Sequence, residues 1–199
     1  MTKYFIIALA IASFSLIGIE SQAQIEKGDV LFEGYYGYSL AKGFWSSMER
    51  EDALDINYSG FGPVGARFEY RAAEKLSLGL DVNYRVFEFS QDYEDMDNVV
   101  YSSKYTSEQL RVMARMNFHF INEEHLDYYM GWGVGYKYSV KDFSSNDDSN
   151  IEVEWPNIFP VAFRVSTGVR YFFTENLGLH GEVGIGGGSF FNGGITYKL

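Results

Sequence analysis

Hydrophobic and polar residues alternate with a period of two along most of this chain. Within 110–120 every second residue is apolar, and the residues between them include Arg111, Arg115 and His119. The final stretch, 190–199, alternates in the same way and ends on the apolar Leu199. Successive side chains of a strand point to opposite faces of a sheet. The pattern therefore predicts strands with one apolar and one polar face.

The same alternation recurs in eight segments, which are joined by connections of unequal length. The predicted strands lie near 30–39, 62–71, 76–85, 110–120, 126–137, 161–171, 177–186 and 190–199. Short connections are predicted at 72–75, 121–125, 172–176 and 187–189, and long ones at 40–59, 90–103 and 139–157. Short turns after the even-numbered strands, with long loops after three of the odd-numbered ones, predict an antiparallel up-and-down β-barrel. An even number of strands places both chain ends on the side of the short turns.

Residues 1–23 predict an export signal. A weakly basic start precedes an apolar run at 5–19 and the small-residue site Ser21-Gln22-Ala23. We predict cleavage before Gln24, which leaves one domain at 24–199. The alternative is an uncleaved membrane anchor, but the apolar run is shorter than the about 20 residues that a spanning helix needs.

The composition narrows the class of protein. Aromatic residues make up 18% of the chain, glycine occurs 21 times and proline 3 times. Such a composition suits alternating strands with aromatic rims better than a helical bundle. The absence of cysteine excludes disulfides and thiolate metal sites. The formal net charge of −11 argues against a nucleic-acid partner, because phosphate contacts need a basic surface.

Charged residues of the predicted strands fall mainly on the polar face. That face carries nine cations and five carboxylates: Glu33, Arg67, Glu69, Arg71, Asp81, Arg85, Arg111, Arg115, Asp127, Lys137, Arg164, Arg170, Glu182 and Lys198. In a soluble barrel this face would meet water, and the apolar side chains would fill the core. In a membrane barrel the charges would line the lumen, and the apolar face would meet lipid.

Two features favour the membrane barrel. Aromatic residues edge the apolar face near both strand ends, like interfacial girdles: Tyr36, Tyr38, Tyr105, Tyr136 and Tyr138 at one end, and Tyr70, Phe120, Tyr128, Tyr171 and Tyr197 at the other. The short turn at 121–125 predicts a register in which Arg115 lies opposite Gly131. In the same register Arg111 lies opposite Gly135. Large side chains beside small ones fill a narrow barrel interior.

With a signal peptide, eight alternating segments and a hydrophobic final strand, the chain resembles the small eight-stranded outer-membrane β-barrels of the OmpA/OmpX-like family over its whole mature length. The resemblance implies a transmembrane barrel in the bacterial outer membrane, with both chain ends in the periplasm. It also implies lipid and lipopolysaccharide as partners, and we expect a monomer. One departure is the last residue: many such barrels end in Phe, and this chain ends in Leu199.

The sequence offers little for catalysis. Some eight-stranded barrels deacylate or acylate lipids, and a hydrolase needs a nucleophile, a base and an orienting acid together. His119 is expected beside Asp127, His180 near Glu182, and the third histidine, His125, in a short turn. No serine is clearly placed with a histidine and an acid at the lipid boundary. We therefore predict no catalytic residue, no cofactor and no histidine metal site, and assign both inward histidines to the polar network of the lumen.

The long connections carry most of the net negative charge, with 13 acidic residues against three cations. The spacing of Asp92, Asp95 and Asp97 could hold a hard cation through oxygen ligands, but it lacks the glycine and the distal glutamate of an EF-hand loop. A solvated acidic surface is the simpler interpretation. Divalent cations at these loops could also bridge to lipopolysaccharide phosphates.

The sequence thus predicts an integral outer-membrane barrel without catalysis, which serves envelope structure or surface contact. Its lumen should be plugged and cross-linked by ion pairs, and its surplus of four positive charges should meet water, backbone carbonyls or anions. Loss of Glu69 should leave Arg67, Arg71 or an arginine across the barrel without a partner. The alternatives are a small-solute porin-like channel, a lipid-modifying enzyme and a secreted soluble lipocalin-like binder.

Overall fold

The structure, a computed structural model, describes residues 24–39, 53–94, 100–145 and 160–199. They form β1 (Val30–Tyr38), β2 (Ala53–Ala73), β3 (Leu76–Glu94), β4 (Val100–Asn122), β5 (Leu126–Ser145), β6 (Val161–Phe172), β7 (Leu177–Gly186) and β8 (Phe191–Lys198). Neighbouring strands pair antiparallel in chain order, and β1 also pairs with β8. The predicted fold, a closed eight-stranded up-and-down barrel, is confirmed. No helix within the described ranges is long and apolar enough to cross a membrane.

The final strand closes the barrel in the orientation that its alternation predicts. Leu31 of β1 stands opposite Lys198 of β8. Asn192 and Thr196 point inward and are buried, whereas Ile195 is exposed on the outer surface. The start of the described chain at Gln24, the C-terminus and the turns after β2, β4 and β6 lie at one end of the barrel, which we call the terminal end. We call the opposite end the loop end.

Four strands, β2 to β5, extend into the regions that were predicted as long loops. β2 to β5 contain 19 to 23 residues, whereas the other four strands contain 8 to 12. Their pairing runs out to Ala53 with Tyr93 and to Ser103 with Ser145. The predicted loop boundaries are therefore wrong, because backbone pairing extends the hairpins through residues whose mixed polarity hides the period of two. The remainder of those loops lies outside the described residues.

The barrel is apolar outside and charged inside. Val134 and Ile185 are 62% exposed on the outer surface, whereas Arg71, Asp81 and Glu182 are 0% exposed within the lumen. A soluble lipocalin-like barrel requires the reverse arrangement, with apolar side chains filling the interior. The faces predicted for a membrane barrel are the ones that the structure shows.

The register between β4 and β5 differs from the prediction by two residues. Arg115 stands opposite Gly133 instead of Gly131, and Arg111 stands opposite Lys137. The difference arises because β4 continues to a tighter turn and contains a β-bulge just before it. Arg115 still packs against a small residue, because Gly131 is its diagonal neighbour on β5. A Cβ atom on Gly131 would lie 2.5 Å from the Arg115 guanidinium.

The aromatic edges of the barrel are mostly as predicted. Nine of the ten aromatic residues are exposed on the outer surface: Tyr36, Tyr38, Tyr70, Phe120, Tyr128, Tyr136, Tyr138, Tyr171 and Tyr197. Tyr105 was assigned to the wrong face. It stands opposite Phe89 and Phe143, on the inward side of β4 with Ser107 and Arg111. An error of one residue in a strand exchanges its faces.

Candidate functional site: the charged lumen

Glu182 is the acidic centre of the lumen. Its carboxylate accepts hydrogen bonds from Arg67 Nη2 at 2.9 Å, Arg164 Nε at 2.7 Å and Arg115 Nη2 at 2.6 Å. The hydroxyl of Tyr129 donates a fourth, at 3.1 Å. Three arginines from three different strands therefore converge on one buried carboxylate.

Arg170 is the basic counterpart, closer to the terminal end. Its guanidinium binds Glu33 at 2.6 Å, Glu69 at 2.5 Å and Asp127 at 2.8 Å, and it lies 4.2 Å from the centre of the Tyr129 ring. The arginine that pairs with Glu69 is thus the cross-barrel one. The prediction that loss of Glu69 leaves an arginine without a partner is wrong, because Arg170 would keep Glu33 and Asp127. Planar guanidinium groups suit such multiple carboxylate contacts, because each offers five donors in a fixed fork.

Arg67 and Asp81 join the two centres into one network. Arg67 binds Glu33 at 3.2 Å and Asp81 at 2.7 Å. Arg115 reaches Asp81 at 3.5 Å, and the Tyr35 hydroxyl donates to Asp81 at 2.7 Å. Every arginine and carboxylate side chain of this network is at most 4% exposed. The predicted network members that the structure brings together are Glu33, Arg67, Glu69, Asp81, Arg115, Asp127, Arg164, Arg170 and Glu182.

The other five predicted members lie toward the two ends of the lumen. At the terminal end, Arg71 donates to the Glu74 carbonyl, and Lys198 Nζ donates to the Gln24 carbonyl at 3.0 Å. At the loop end lie Arg85, Arg111 and Lys137. The middle of the lumen therefore holds four arginines against five carboxylates, and the predicted surplus of positive charge is divided between the ends.

The sequence reasoning missed a group formed by Ser77, His119 and Asp127. His119 Nδ1 lies 2.6 Å from Asp127 Oδ1, which confirms that predicted pair, and His119 Nε2 is hydrogen-bonded to Ser77 Oγ. This is the connectivity of a serine–histidine–acid triad. The strand register could have revealed it, because Ser77 stands opposite Asn117, two residues before His119.

The surroundings of this group are closed and charged. Ser77 is 0% exposed. Glu69 Oε1 lies 3.3 Å from His119 Nε2, so the same ring nitrogen contacts both the serine hydroxyl and a carboxylate. Asp127 is at the same time an ion-pair partner of Arg170. The described residues therefore leave Ser77 Oγ no open side.

The other two histidines also bond within the barrel. His180 was expected on the inner face near Glu182, and it is buried there two residues before it. Its Nδ1 lies 3.0 Å from Thr196 Oγ1 and 3.8 Å from a Glu33 oxygen. His125 Nδ1 contacts the Phe172 carbonyl at 3.1 Å in the terminal-end turns.

The segment before β1 lies across the terminal end of the lumen. Ile25 is 2% exposed and packs with Leu31 and Phe172, an apolar cluster inside an otherwise polar interior. The side chain of Asn122 forms two hydrogen bonds with the backbone of Ile25. Asn122 Nδ2 donates to the Ile25 carbonyl at 2.7 Å, and the Ile25 amide donates to Asn122 Oδ1 at 3.3 Å. A cavity of about 570 Å³ remains beside this segment, lined partly by Lys75 and His119.

A glycine turn lies at the loop end, between β7 and β8. Gly186, Gly187 and Gly188 have φ values of +79°, +62° and +92°, a region that favours glycine. Arg164 Nη1 donates to the carbonyls of Gly186 at 2.9 Å and Ser189 at 2.7 Å. Backbone carbonyls thus satisfy part of the positive charge, as the sequence predicted.

Only one of the three weak metal candidates, Asp92, lies within the described residues. Asp92 lies in β3 opposite Ser102, while Asp95 and Asp97 fall outside the described ranges. Among the residues that the structure describes, no group of three or more His, Asp or Glu side chains could hold a metal ion.

Comparison with known proteins places the fold. No protein-family model and no curated protein matches the chain. The outer membrane protein OprG from Pseudomonas aeruginosa matches with a TM-score of 0.53 and 12% identity, over 89% of this chain and 98% of that one. Two further structures overlap less closely. The N-terminal β-barrel domain of OprF from Pseudomonas aeruginosa has a TM-score of 0.40 and 14% identity, over 88% of this chain and 100% of that one. Ail from Yersinia pestis has a TM-score of 0.40 and 9% identity, over 87% of this chain and 99% of that one. The chain therefore has the fold of the small eight-stranded outer-membrane β-barrels.

Proposed function

We propose that the protein is an integral outer-membrane barrel, with the terminal end in the periplasm and the loop end outside the cell. The observation that carries this proposal is the inverted polarity of the barrel wall. Exposed Phe, Leu, Val, Ile and Tyr side chains dominate the outer surface. Water disfavours so large an apolar surface, whereas a hydrocarbon layer accepts it. The aromatic residues near both ends suit the two lipid–water interfaces.

Within this proposal the lumen is a cross-linked plug. An eight-stranded barrel has an interior just wide enough for its own side chains. Here five carboxylates and four arginines occupy the middle, and the segment around Ile25 lies across one opening. The plug favours a role in envelope structure or surface contact over a porin-like channel.

We also propose that the protein is not an enzyme. Transfer of an acyl group requires a nucleophile that the substrate can reach within hydrogen-bonding range of its base. Ser77 is fully buried, and Glu69 lies beside the same histidine nitrogen. The Ser77–His119–Asp127 group then orders the ends of β3, β4 and β5 as a hydrogen-bonded chain.

The proposed partners are the surrounding lipid and lipopolysaccharide. The acidic residues of the long connections would attract divalent cations, which can bridge carboxylates to lipopolysaccharide phosphates. Such binding should be weak and sensitive to salt, because exposed charges are screened. Calcium titration at constant ionic strength tests this: a rise in melting temperature at millimolar calcium supports it, and no response leaves a solvated surface.

Membrane fractionation with a heat-modifiability gel tests the location. The protein should enter the outer-membrane fraction, and unheated samples should migrate differently from heated ones, because a folded barrel resists the detergent. A protein found in the soluble periplasmic fraction would refute the proposal.

Conductance in planar lipid bilayers tests the plug separately. The purified barrel should show no large, long-lived openings under conditions in which a general porin, used as the positive control, conducts. Stable openings in the unmutated protein would refute the plug and favour the channel.

A further inference from the structure

Two guanidinium groups meet near the loop end of the lumen with only neutral partners. Arg85 on β3 and Arg111 on β4 both donate to the side-chain oxygen of Gln109, at 3.1 Å from Arg85 Nη2. Arg111 Nη1 also donates to Asn83 Oδ1 at 3.4 Å. Arg85 Nη1 donates to Ser39 Oγ at 2.8 Å. Neither arginine forms an ion pair with any residue that the structure describes.

This pair differs from the arginines in the middle of the lumen. Each of those binds at least one carboxylate. Arg111 is only 6% exposed, and the Nε of Arg85 is buried without a hydrogen-bond partner. Two like charges that share one amide oxygen repel each other, and burying them is costly unless an opposite charge is present. The pair therefore has no carboxylate within ion-pair distance in the described part of the chain.

The surroundings leave room for a small ion. A cavity of about 230 Å³ lies on the Arg85 side of the pair and is lined by Arg85, Tyr58 and Phe87, but not by Arg111. One water molecule occupies about 30 Å³. The glycine turn covers the other side: the Gly188 carbonyl accepts a hydrogen bond from Arg85 Nη1 at 3.3 Å, and a Cβ on Gly188 would lie 2.5 Å from Arg111 Nη1. The φ of +92° at Gly188 favours glycine at this position of the turn.

We propose that Arg85 and Arg111 form a binding site for a small oxyanion of the phosphate type. Guanidinium groups match the oxygens of such anions with paired hydrogen bonds, and bonds to a charged oxygen are stronger than the present bonds to neutral amide and hydroxyl oxygens. Lys137 stands opposite Arg111 on the same inner wall and adds to the positive potential. The anion is either free phosphate or the phosphate of a lipid headgroup. The site goes beyond the proposed structural role and does not depend on it.

Thermal unfolding of the purified full barrel in a nonionic detergent tests the site. Inorganic phosphate should raise the melting temperature in a concentration-dependent manner, relative to chloride at matched ionic strength, because a ligand that binds only the folded state stabilises it. Arg85→Gln and Arg111→Gln should abolish that rise. Lys104→Gln, which removes one positive charge from the exposed outer surface, should retain it.

A second readout separates an anion site from a structural arginine. In phosphate-free chloride buffer Arg111→Gln should melt at a higher temperature than the unmutated barrel, because it removes a buried charge without a counter-charge. A structural arginine would give a lower melting temperature and an unchanged phosphate response. Arg111→Lys keeps the charge without the planar fork, so it should retain a weakened response.

The source of the phosphate is distinguished by adding phosphatidic acid to the detergent micelles in phosphate-free buffer. A response to inorganic phosphate supports a free anion, and a response to the lipid alone supports a headgroup. If neither probe raises the melting temperature more than chloride does, or if the rise is unchanged in both glutamine variants, the proposal is overturned. Phosphorus NMR decides the question should the variants fail to fold. The unmutated barrel should broaden the signal of inorganic phosphate or of phosphatidic acid, and no broadening of either signal overturns the proposal.

Discussion

Arg115 and Glu182 join opposite walls of the barrel. Arg115 lies on β4 and Glu182 on β7, three strands away around the wall, yet Arg115 Nη2 and Glu182 Oε2 are 2.6 Å apart. Both side chains are at most 3% exposed. The contact therefore crosses the lumen, and it fixes the separation of two walls that share no backbone hydrogen bonds.

Glu182→Gln should destabilise the barrel more than Asp127→Asn does. The first substitution neutralises the common carboxylate of three arginines, whereas Arg170 keeps Glu33 and Glu69 when Asp127 is neutralised. Urea unfolding of both variants in detergent micelles measures the two losses. Equal losses, or a larger one for Asp127→Asn, would mean that Glu182 is not the centre of the network.

Glu69→Ala should lower the free energy of unfolding by about 3 kcal/mol, the lower end of the usual cost of breaking a buried ion pair from one side, because Arg170 keeps Glu33 and Asp127. Arg170 and Asn117 Nδ2 would both lose their bonds to this carboxylate. The matched control is Glu88→Ala, which removes a carboxylate from the partly exposed pair with Lys104 and should cost less than about 1 kcal/mol. Similar losses in the two variants would indicate that burial does not govern these ion pairs.

Ser77 should not react with a fluorophosphonate probe in the folded barrel. The hydroxyl is fully buried beside Glu69, despite its bond to His119. Mass spectrometry of the labelled protein is the measurement, with a serine hydrolase in the same detergent as the positive control. Labelling that disappears in Ser77→Ala would contradict the non-catalytic assignment.

Protease added to intact cells should cut within 144–150, if it cuts the barrel anywhere. β5 ends at Ser145 at the loop end, and the turn at Glu123 and Glu124 lies at the terminal end. The fragments are identified by mass spectrometry, and lysed cells serve as the control in which both sites are accessible. Selective cleavage at the Glu123–Glu124 turn in intact cells would reverse the proposed orientation.

The sequence determined the strands and the faces of most of their residues. The side chain of every second residue in β4 points inward because a strand has a period of two, so the inward positions of Arg111 and Arg115 followed from the pattern alone. The same reasoning failed for Tyr105, where Ser, Lys and Thr neighbours remove the contrast between the faces. It also failed at the loop boundaries, since the extended pairing of β2 to β5 depends on backbone hydrogen bonds that polarity does not report.

Only the tertiary structure decided which charges meet. The sequence shows that Arg67 and Glu182 share the inner face, but 115 positions separate them, and their 2.9 Å contact exists because the barrel closes and its strands are staggered. The tighter turn after β4, together with the β-bulge just before it, moved the partners of Arg111 and Arg115 by two residues from the predicted ones. Closure also placed five carboxylates in the middle of the lumen and left Arg85 and Arg111 together at one end. The alternation of side chains is local, whereas register and closure are properties of the whole sheet, so a single strand's sequence fixes the first and not the second.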